Sequence, residues 1–497
     1  MAVSGTTKAL KDIMRMDAGI NGDAQYIEQI TWMLFLKAFD YKEQEWELSD
    51  DYYPVIPLEY RWSEWADDSE GITGDALLEH IHQMFSSLRN LGVDDLDIKN
   101  DNKELEKRIQ ETVKQRRWLI RAVMEGVNNF MKSGTLLRQV INKINEDFNF
   151  SASKHTHMFN GFYNSMLKDL QSAGKAGEFY TPRPITHFIV KMIAPKLGDI
   201  ILDPASGTCG FLESAIEYLE PSISTAQDYR TLQQTIRGIE KKPFPFLLGV
   251  TNLVTHGIDV PNIRHENTLR THTTEYGVKD KVDIIVTNPP FGGAEEKAIS
   301  QSVSAELRNT ETADLFLVHI MALLKDGGRC GLVLPDGFLF GTGVKSSIKR
   351  KLVEENNLHT IVRLPKSVFA PYTPINTNLL FFTKGRPTKG VWFYRLKMPK
   401  GYKHFSKTKP MLDKHFDPVL DWWDNRAESD VSQYVAVEDI VAGGYNLDLC
   451  GFPHETVEIL SPDEFIAQYL NEKAAISARI EDILTRITDA MAQEGTS

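Results

Sequence analysis

The first 150 residues carry hydrophobic side chains at the three- and four-residue spacing that is typical of amphipathic helices. Nothing in this stretch resembles the continuous β-branched runs of a buried parallel sheet. The pattern predicts an all-α N-terminal domain, over residues 1–165, with an acidic and aromatic insert at 52–65. Its clearest stripes are Ile27, Ile30 and Leu34; Ile120, Val123, Met124 and Val127; and Leu137, Val140, Ile141 and Ile144.

Farther along the chain, over residues 166–420, short apolar runs alternate with helical patterns. This alternation predicts an α/β domain built on an open, mainly parallel sheet with helices on both faces. The last two strands are joined by a connection too short for a crossover, so we expect them to pair antiparallel. The seven predicted strands are 200–203, 236–240, 282–287, 330–334, 359–364, 378–383 and 391–395, and the helices between them are 210–219, 246–256, 313–324 and 344–354.

The remaining residues, 421–497, are predicted to form an extension that ends in a long helix at about 462–491. Apolar residues recur there in three- and four-residue steps, which makes a seam that needs a partner surface. That surface belongs either to this chain or to another subunit, and the sequence leaves both open.

Composition excludes several classes of protein. The chain has 497 residues, 42% hydrophobic and 25% charged, which is an ordinary globular balance. No window approaches the roughly 18 apolar residues of a membrane span, and the first residues lack the apolar core of a signal peptide, so we expect a cytoplasmic protein with no membrane contact. The three cysteines lie far apart, which argues against a disulfide framework and against a metal site.

Charge is distributed unevenly along the chain. The net charge of −12 argues against a protein that coats nucleic acid by itself. Residues 341–420, however, carry 16 basic and 4 acidic side chains. This basic segment indicates either a local anionic contact or a solvated lysine-rich surface.

A small-residue loop follows the first predicted strand, in the segment Asp203-Pro-Ala-Ser-Gly-Thr-Cys-Gly210. Gly207 and Gly210 allow the backbone to approach a ligand closely. The loop has neither the three-glycine spacing of a dinucleotide site nor a phosphate-binding lysine. Asp203 at the strand end disfavours phosphate and suits a cationic amine.

The next predicted strand ends in Glu240, whose carboxylate suits a ribose diol. Asp203 and Glu240 together describe a pocket for a nucleoside that carries an amino acid and no phosphate, and S-adenosylmethionine (SAM) fits that description. Carboxylates that cap helices are the alternative interpretation of the same two residues.

The strand at 282–287 ends in Asn288-Pro289-Pro290-Phe291. The prolines stiffen the turn and remove two backbone donors. The Asn288 side-chain oxygen and a neighbouring carbonyl can accept hydrogen bonds from one exocyclic NH2 group, and Phe291 can stack on its ring. An activated sulfonium needs no strong base, because positioning supplies much of the rate. A simple loop turn is the alternative interpretation.

With these motifs, the sequence resembles the N6-adenine DNA methyltransferases, and more closely the modification (M) subunits of type I restriction–modification systems. The resemblance also rests on residues 177–183, 313–316, 328–335 and 376–378. It implies a Rossmann-like SAM-dependent methyltransferase fold, with a mostly parallel seven-stranded sheet and an antiparallel edge strand. It implies transfer of a methyl group from SAM to N6 of a flipped adenine in double-stranded DNA.

The resemblance also implies roles for individual residues. Asn288, Pro289, Pro290 and Phe291 would hold the flipped adenine, and Asn267 could touch the cofactor adenine. The residues that would line the cofactor pocket are Glu178, Phe179, Tyr180, Thr181, Pro182, Arg183, Asp203, Ser206, Gly207, Thr208, Gly210 and Glu240.

The resemblance implies partners as well: a specificity subunit that reads the DNA sequence, a second M subunit, and a restriction subunit that supplies ATP-driven translocation and cleavage. The basic stretch 344–414, including Lys345, Lys349 and Lys351, would contact phosphates, and the terminal helix could dock on the specificity subunit. The alternatives are methylation of glutamine side chains or of RNA bases, and a non-catalytic scaffold.

Overall fold

The computed structural model describes residues 2–49, 51–94, 96, 98–148, 180–370, 373, 375–406 and 409–451, and ten positions between 466 and 485. Met1–Cys450 forms one compact unit and Gly451–Ser497 a second. The ten described positions between 466 and 485 are helical, but most of the predicted helix at 462–491 lies outside the described residues. None of the described helices has the combined length and hydrophobicity that crossing a bilayer requires.

All secondary-structure elements in the described part of the chain before residue 149 are helices, as the hydrophobic stripes predicted. The longest of them is buried along most of its length, with Trp32, Phe35 and Phe39 at its core. The six helices are α1 (Ala2–Met14), α2 (Asp23–Glu47), α3 (Trp62–Trp65), α4 (Gly74–Arg89), α5 (Lys103–Glu125) and α6 (Gly134–Asp147).

The part of the chain after residue 180 contains one mixed sheet, in which the described strands follow the order β3-β2-β1-β4-β5-β7-β6-β8-β9. Only β7 and β9 run antiparallel to their neighbours. The predicted α/β class is confirmed, with nine strands instead of seven. The strands are β1 (Ile201–Asp203), β2 (Ile236–Glu240), β3 (Asn262–His265), β4 (Val282–Thr287), β5 (Leu324–Pro335), β6 (Asn356–Arg363), β7 (Thr377–Lys384), β8 (Gly390–Arg395) and β9 (Ser432–Ala436).

Both strands that the sequence did not predict lie at the edges of the sheet. In β3 only Ile263 is buried, and in β9 only Ser432 is buried. Edge strands with so little buried apolar surface lack the hydrophobic run that identifies a strand in a sequence. Since β9 belongs to the sheet, the sheet extends past residue 420.

The predicted pairing of the last two strands is wrong, because β6 lies between β7 and β8. The two strands do run in opposite directions, but β7 pairs with β5 and β6, and β8 pairs parallel with β6. The antiparallel strand β7 is therefore internal, and the antiparallel edge strand is β9. The short connection passes the start of β6, where the Thr388 hydroxyl donates to Asn356 O and accepts from Leu358 N–H.

Helices cover both faces of the sheet. The loop between β1 and β2 is longer than a minimal crossover because it contains two helices. One helix, α10, also packs against α2 and α5 and so joins the two halves of the unit. The helices are α7 (Arg183–Ile193), α8 (Gly210–Leu219), α9 (Ala226–Thr235), α10 (Pro243–Thr255), α11 (Lys297–Ser300), α12 (Thr312–Leu323), α13 (Asp336–Phe340), α14 (Val344–Glu355), α15 (Asp417–Asp424) and α16 (Val437–Ala442).

The strand order reverses between the neighbouring strands β1 and β4: β2 and β3 follow on the far side of β1, and β5 follows on the far side of β4. Asp203, at the end of β1, is 1% exposed. Its Oδ1 accepts hydrogen bonds from the Thr287 hydroxyl of β4, at 2.7 Å, and from Ala205 N–H, at 3.1 Å. Burial raises the pKa of Asp203 to about 7, even though these hydrogen bonds act in the opposite direction.

The elevated pKa of Asp203 predicts a pH-dependent stability. Since the folded chain binds this proton more tightly than the unfolded chain does, the contribution of Asp203 to the free energy of unfolding falls as pH rises from 3.8 to about 7. Asp203→Asn keeps an acceptor for Thr287 and removes the titration. We expect the stability of the wild type, relative to this variant, to fall by about 1 kcal/mol for each pH unit in that window.

Denaturant unfolding of both proteins at about pH 5, 6, 7 and 8 measures this difference. Asp101→Asn, at an exposed position, is the control and is expected to show no such trend. Parallel curves for the wild type and Asp203→Asn would contradict the prediction.

Candidate active site

The loop between β1 and α8 is held against the carboxyl end of β2. Ser206 donates from its backbone N–H and from its hydroxyl to Ile239 O, at 3.0 and 3.2 Å. Gly207 has a φ of +51°, a conformation that favours glycine. A Cβ on Gly238 of β2 would lie 3.1 Å from the Ser206 Cβ, so the close approach of loop and strand also depends on a glycine.

Glu240, at the end of β2, closes this loop from the other side. Its carboxylate accepts hydrogen bonds from Gly207 N–H, at 2.8 Å, and from Lys242 N–H, at 2.7 Å. The side chain is nearly buried, and burial raises its pKa although the backbone hydrogen bonds lower it. A carboxylate has about four lone-pair positions, so it can accept further hydrogen bonds from a ligand.

Two cavities open beside the loop. The larger has a volume of about 270 Å³, and its wall includes Glu240, Asn267, Pro290 and Phe291. The smaller is a narrow cleft lined by Thr181, Asp203, Ala205, Ser206, Gly207, Thr208, Gly210, Phe211 and Asn288. Ala205, Gly207 and Asn288 line both cavities, so the predicted loop and the Asn-Pro-Pro-Phe turn share one recess.

Asn288 directly follows β4 and lies between the two cavities. Its Nδ2 donates to the Thr181 hydroxyl at 3.0 Å. Its Oδ1 is buried and has no hydrogen-bond partner among the described residues. An unpaired buried acceptor costs about 1–3 kcal/mol, so this oxygen is an expected position for a ligand N–H.

The turn after Asn288 combines a buried and an exposed proline. Pro289 is buried, while Pro290 and Phe291 contribute to the wall of the larger cavity. The Phe291 ring packs edge-on against Phe369, with their centroids 6.2 Å apart. One side of the Phe291 ring is therefore supported by the loop that follows β6.

Arg183 lies outside both cavities. Its guanidinium donates to Gly210 O and pairs with Glu213 of α8. Glu213 also accepts from Asn252 Nδ2 at 2.6 Å and lies 3.4 Å from His256 Nε2. Arg183 therefore braces the first turn of α8, and its link to the cavity is indirect.

The other predicted pocket residues differ in their placement. Tyr180 is 8% exposed and Pro182 precedes α7, but neither belongs to the wall of the two cavities. Asp203 lines the smaller cleft while its Oδ1 ties β1 to β4. Glu178 and Phe179 lie outside the described residues.

For the other residues at the site, the sequence offers little or no indication of a role. Asn267 accepts from Leu269 N–H at 3.0 Å, and its buried Nδ2 has no hydrogen-bond partner in the described part of the chain. Thr312 and Phe316 also line the larger cavity; the motif at 313–316 includes Phe316, and nothing in the sequence indicated Thr312. Thr287 could be suspected only from its place before Asn288.

The basic segment is largely engaged within the chain. Lys345 pairs with Asp314 at 2.7 Å, and Lys351 pairs with Glu355 at 2.6 Å. Lys349 is 1% exposed and donates to Leu339 O, at 2.7 Å. Lys345 and Lys349 are therefore held between α14 and its neighbours, whereas Lys351 pairs along α14 itself.

Comparisons with known proteins agree with this arrangement. The N-6 DNA Methylase family model matches residues 154–457, and the HsdM N-terminal domain model matches residues 6–144. The methylase subunit of the type I restriction enzyme EcoEI from Escherichia coli is 49% identical, over 97% of this chain and 98% of the relative.

Solved structures give the same result. A modification subunit assigned to a type I restriction enzyme of Vibrio vulnificus YJ016 is 40% identical, with a TM-score of 0.76 over 88% of this chain and 93% of the other. A chain from a study of complex assembly in a type I R-M system is 36% identical, with a TM-score of 0.77 over 97% of both chains. This chain therefore belongs to the N-6 DNA methylase family, among the methylase subunits of type I restriction enzymes.

Proposed function

We propose that the shared recess around Asn288 is where this adenine-specific DNA methyltransferase carries out its reaction, with S-adenosylmethionine on the Gly207 side and the target adenine at Asn288. The observation that carries the proposal is the buried Oδ1 of Asn288, which lies between two cavities and has no hydrogen-bond partner among the described residues. It is an acceptor at the position where a substrate N–H is needed.

The residues of the recess fit the cofactor that the fold and family imply. Glu240 lines the larger cavity and can accept from a ribose diol. The Nδ2 of Asn267, from which no described residue accepts a hydrogen bond, can donate to a purine nitrogen. The smaller cleft suits the amino-acid part of the cofactor, because its lining includes the hydroxyl residues Thr181, Ser206 and Thr208. When bound, S-adenosylmethionine supplies an electrophilic methyl group.

The chain's own residues then bind and orient the adenine. N6 takes part in Watson–Crick pairing, so the base has to be extruded from the duplex before it can enter the recess. Asn288 Oδ1 accepts from the N6 amino group, and Phe291 offers a ring for stacking. Because an amide takes up no proton at neutral pH, Asn288 acts through hydrogen bonding and orientation instead of as a base.

Asn288→Ala tests the central acceptor. We expect the rate of methyl transfer to DNA, measured with labelled cofactor in the assembled enzyme, to fall by about 100-fold or more because the hydrogen bond to N6 is lost. Cofactor affinity, measured by calorimetry, should change little. Asn262→Ala, at an exposed position in β3, is the matched control. A wild-type rate for Asn288→Ala would refute the proposal.

Thr181 is proposed as a positioning residue, because its hydroxyl accepts from Asn288 Nδ2 and so holds the amide in the orientation in which Oδ1 faces the cavity. Thr181→Val removes the acceptor for Nδ2 and leaves the amide free to rotate. We expect kcat to fall about 10- to 100-fold, since small misplacements of a reacting group have effects of this size. The Michaelis constants for cofactor and DNA should change much less.

Thr181→Ser is the informative control, because it keeps the hydroxyl and should restore most of kcat. If Thr181→Val and Thr181→Ser lower kcat equally, the hydroxyl does not orient Asn288 and the positioning role of Thr181 is contradicted.

We further propose that this chain works with a specificity subunit, a second M subunit and a restriction subunit on double-stranded DNA. The net charge of −12 supports a division of labour in which another chain supplies much of the DNA affinity. Local phosphate contacts are assigned to Lys366, Lys400 and Lys403. These side chains are exposed, follow the carboxyl ends of β6 and β8, and have no ion pair among the described residues.

Replacing these three lysines with glutamine tests the DNA contact. We expect weaker DNA binding by the assembled complex and a plot of log affinity against log salt that is flatter by about 0.9 for each phosphate that the protein no longer neutralises. The control is Lys389→Gln, because Lys389 is exposed and lies at the amino end of β8, away from the carboxyl ends of the strands. An unchanged salt slope in the triple variant would exclude this surface.

A further inference from the structure

We propose that a second binding site, for a phosphate-type oxyanion, lies between the N-terminal helices and the catalytic half, around Arg116. A cavity of about 410 Å³ separates α2 and α5 from the catalytic half at this point. Arg230, in α9, and Asp259, before β3, form the catalytic side of its wall. Arg230 precedes β2 and Asp259 precedes β3, so the cavity lies at the amino ends of the parallel strands, whereas Asn288 lies at their carboxyl ends.

Arg116 is a half-buried cation that forms no ion pair with a described residue. It occupies the inner stripe of α5, in register with Ile109, Val113 and Ile120, where a helix normally carries an apolar residue. Its guanidinium lies 3.3 Å from the centroid of the Trp46 ring. Its Nε is buried without a hydrogen-bond partner in the described part of the chain, and no described carboxylate pairs with its guanidinium.

The residues around Arg116 do not fully replace the hydration that its guanidinium loses on burial. Burial lowers the pKa of Arg116 to about 10, although acidic groups in the vicinity act in the opposite direction. A guanidinium whose pKa is reduced to this extent lies in surroundings that stabilise its charge poorly. An anion placed in the cavity would supply the missing stabilisation.

Both aspartates of the cavity wall already have cations of their own. Asp51 Oδ2 pairs with Arg108 at 2.6 Å. Asp259 Oδ1 lies 3.5 Å from Lys42 Nζ. With Arg116 and Arg230 included, the wall carries three arginines and two aspartates, so it has an excess of positive charge.

The chemistry of the wall favours an oxyanion as the ligand. Guanidinium groups bind phosphate and carboxylate oxygens through paired N–H donors, and the Trp46 ring holds the plane of Arg116 in place. Arg230 uses Nε and Nη2 for Gln227, at 3.2 and 3.1 Å, and its Nη1 makes no hydrogen bond to another described residue. The cavity is larger than the one beside Asn288, so it can admit free phosphate or the phosphate of a nucleoside monophosphate.

Inorganic phosphate is the probe for the site. The full chain is titrated at constant ionic strength, with chloride replacing phosphate, while thermal unfolding and binding heat are recorded. We expect a saturable rise in Tm for the wild type, because a ligand that binds only the folded state stabilises it. Arg116→Gln should abolish the saturable rise, and Arg121→Gln, at an exposed position of the same helix, should preserve it.

Arg230→Gln keeps the test decisive if Arg116→Gln does not fold, because Arg230 is exposed and its loss leaves the core intact. We expect this variant to weaken phosphate binding at least threefold. Adenosine monophosphate is titrated in parallel, and tighter binding than phosphate, lost in the same variants, would identify a nucleotide as the source of the oxyanion. A Tm that rises without saturation, or equally in wild type, Arg116→Gln and Arg230→Gln, would overturn the proposal.

Discussion

The hydrogen bonds that join β1, β2 and β4 at their carboxyl ends determine where every other part of the site lies. Asp203 ties β1 to β4 through Thr287, and Glu240 ties the glycine loop to β2 through Gly207 N–H. Both carboxylates are nearly buried, and burial raises both pKa values. A buried carboxylate is tolerated only where it has hydrogen-bond donors, so each one fixes the geometry of the backbone around it.

This constraint also fixes the backbone of the glycine loop. The loop residues Ser206 and Gly207 are held to β2 at both the carbonyl of Ile239 and the side chain of Glu240. The Asn-Pro-Pro-Phe turn begins directly after Thr287, the partner of Asp203, so this hydrogen bond and the parallel pairing of β1 with β4 together position the turn relative to the loop. Sites built on strand ends in this way are held more accurately than sites on free loops.

Sequence reasoning recovered the features that local chemistry determines. The helical N-terminal domain, α8, the glycine loop and the Asn-Pro-Pro-Phe turn all have signatures within a few residues of one another. It did not recover β3 and β9, since edge strands need little hydrophobic surface, nor the position of β6 between β7 and β8, since strand order depends on contacts distant in sequence. It also assigned Lys345 and Lys349 to DNA, because a charge pattern does not distinguish a paired or buried lysine from a free one.

The choice of asparagine at position 288 follows from the same electrostatics. A carboxylate there would lie near Asp203 and Glu240, two groups whose pKa values burial already raises, and a third buried negative charge would be costly. An amide supplies the acceptor oxygen without the charge, but it can present either its oxygen or its nitrogen to the cavity. In the structure the Thr181 hydroxyl accepts from Nδ2, and Oδ1 has no hydrogen-bond partner among the described residues. The folded chain therefore tolerates an unsatisfied acceptor, and a ligand N–H recovers that free energy on binding.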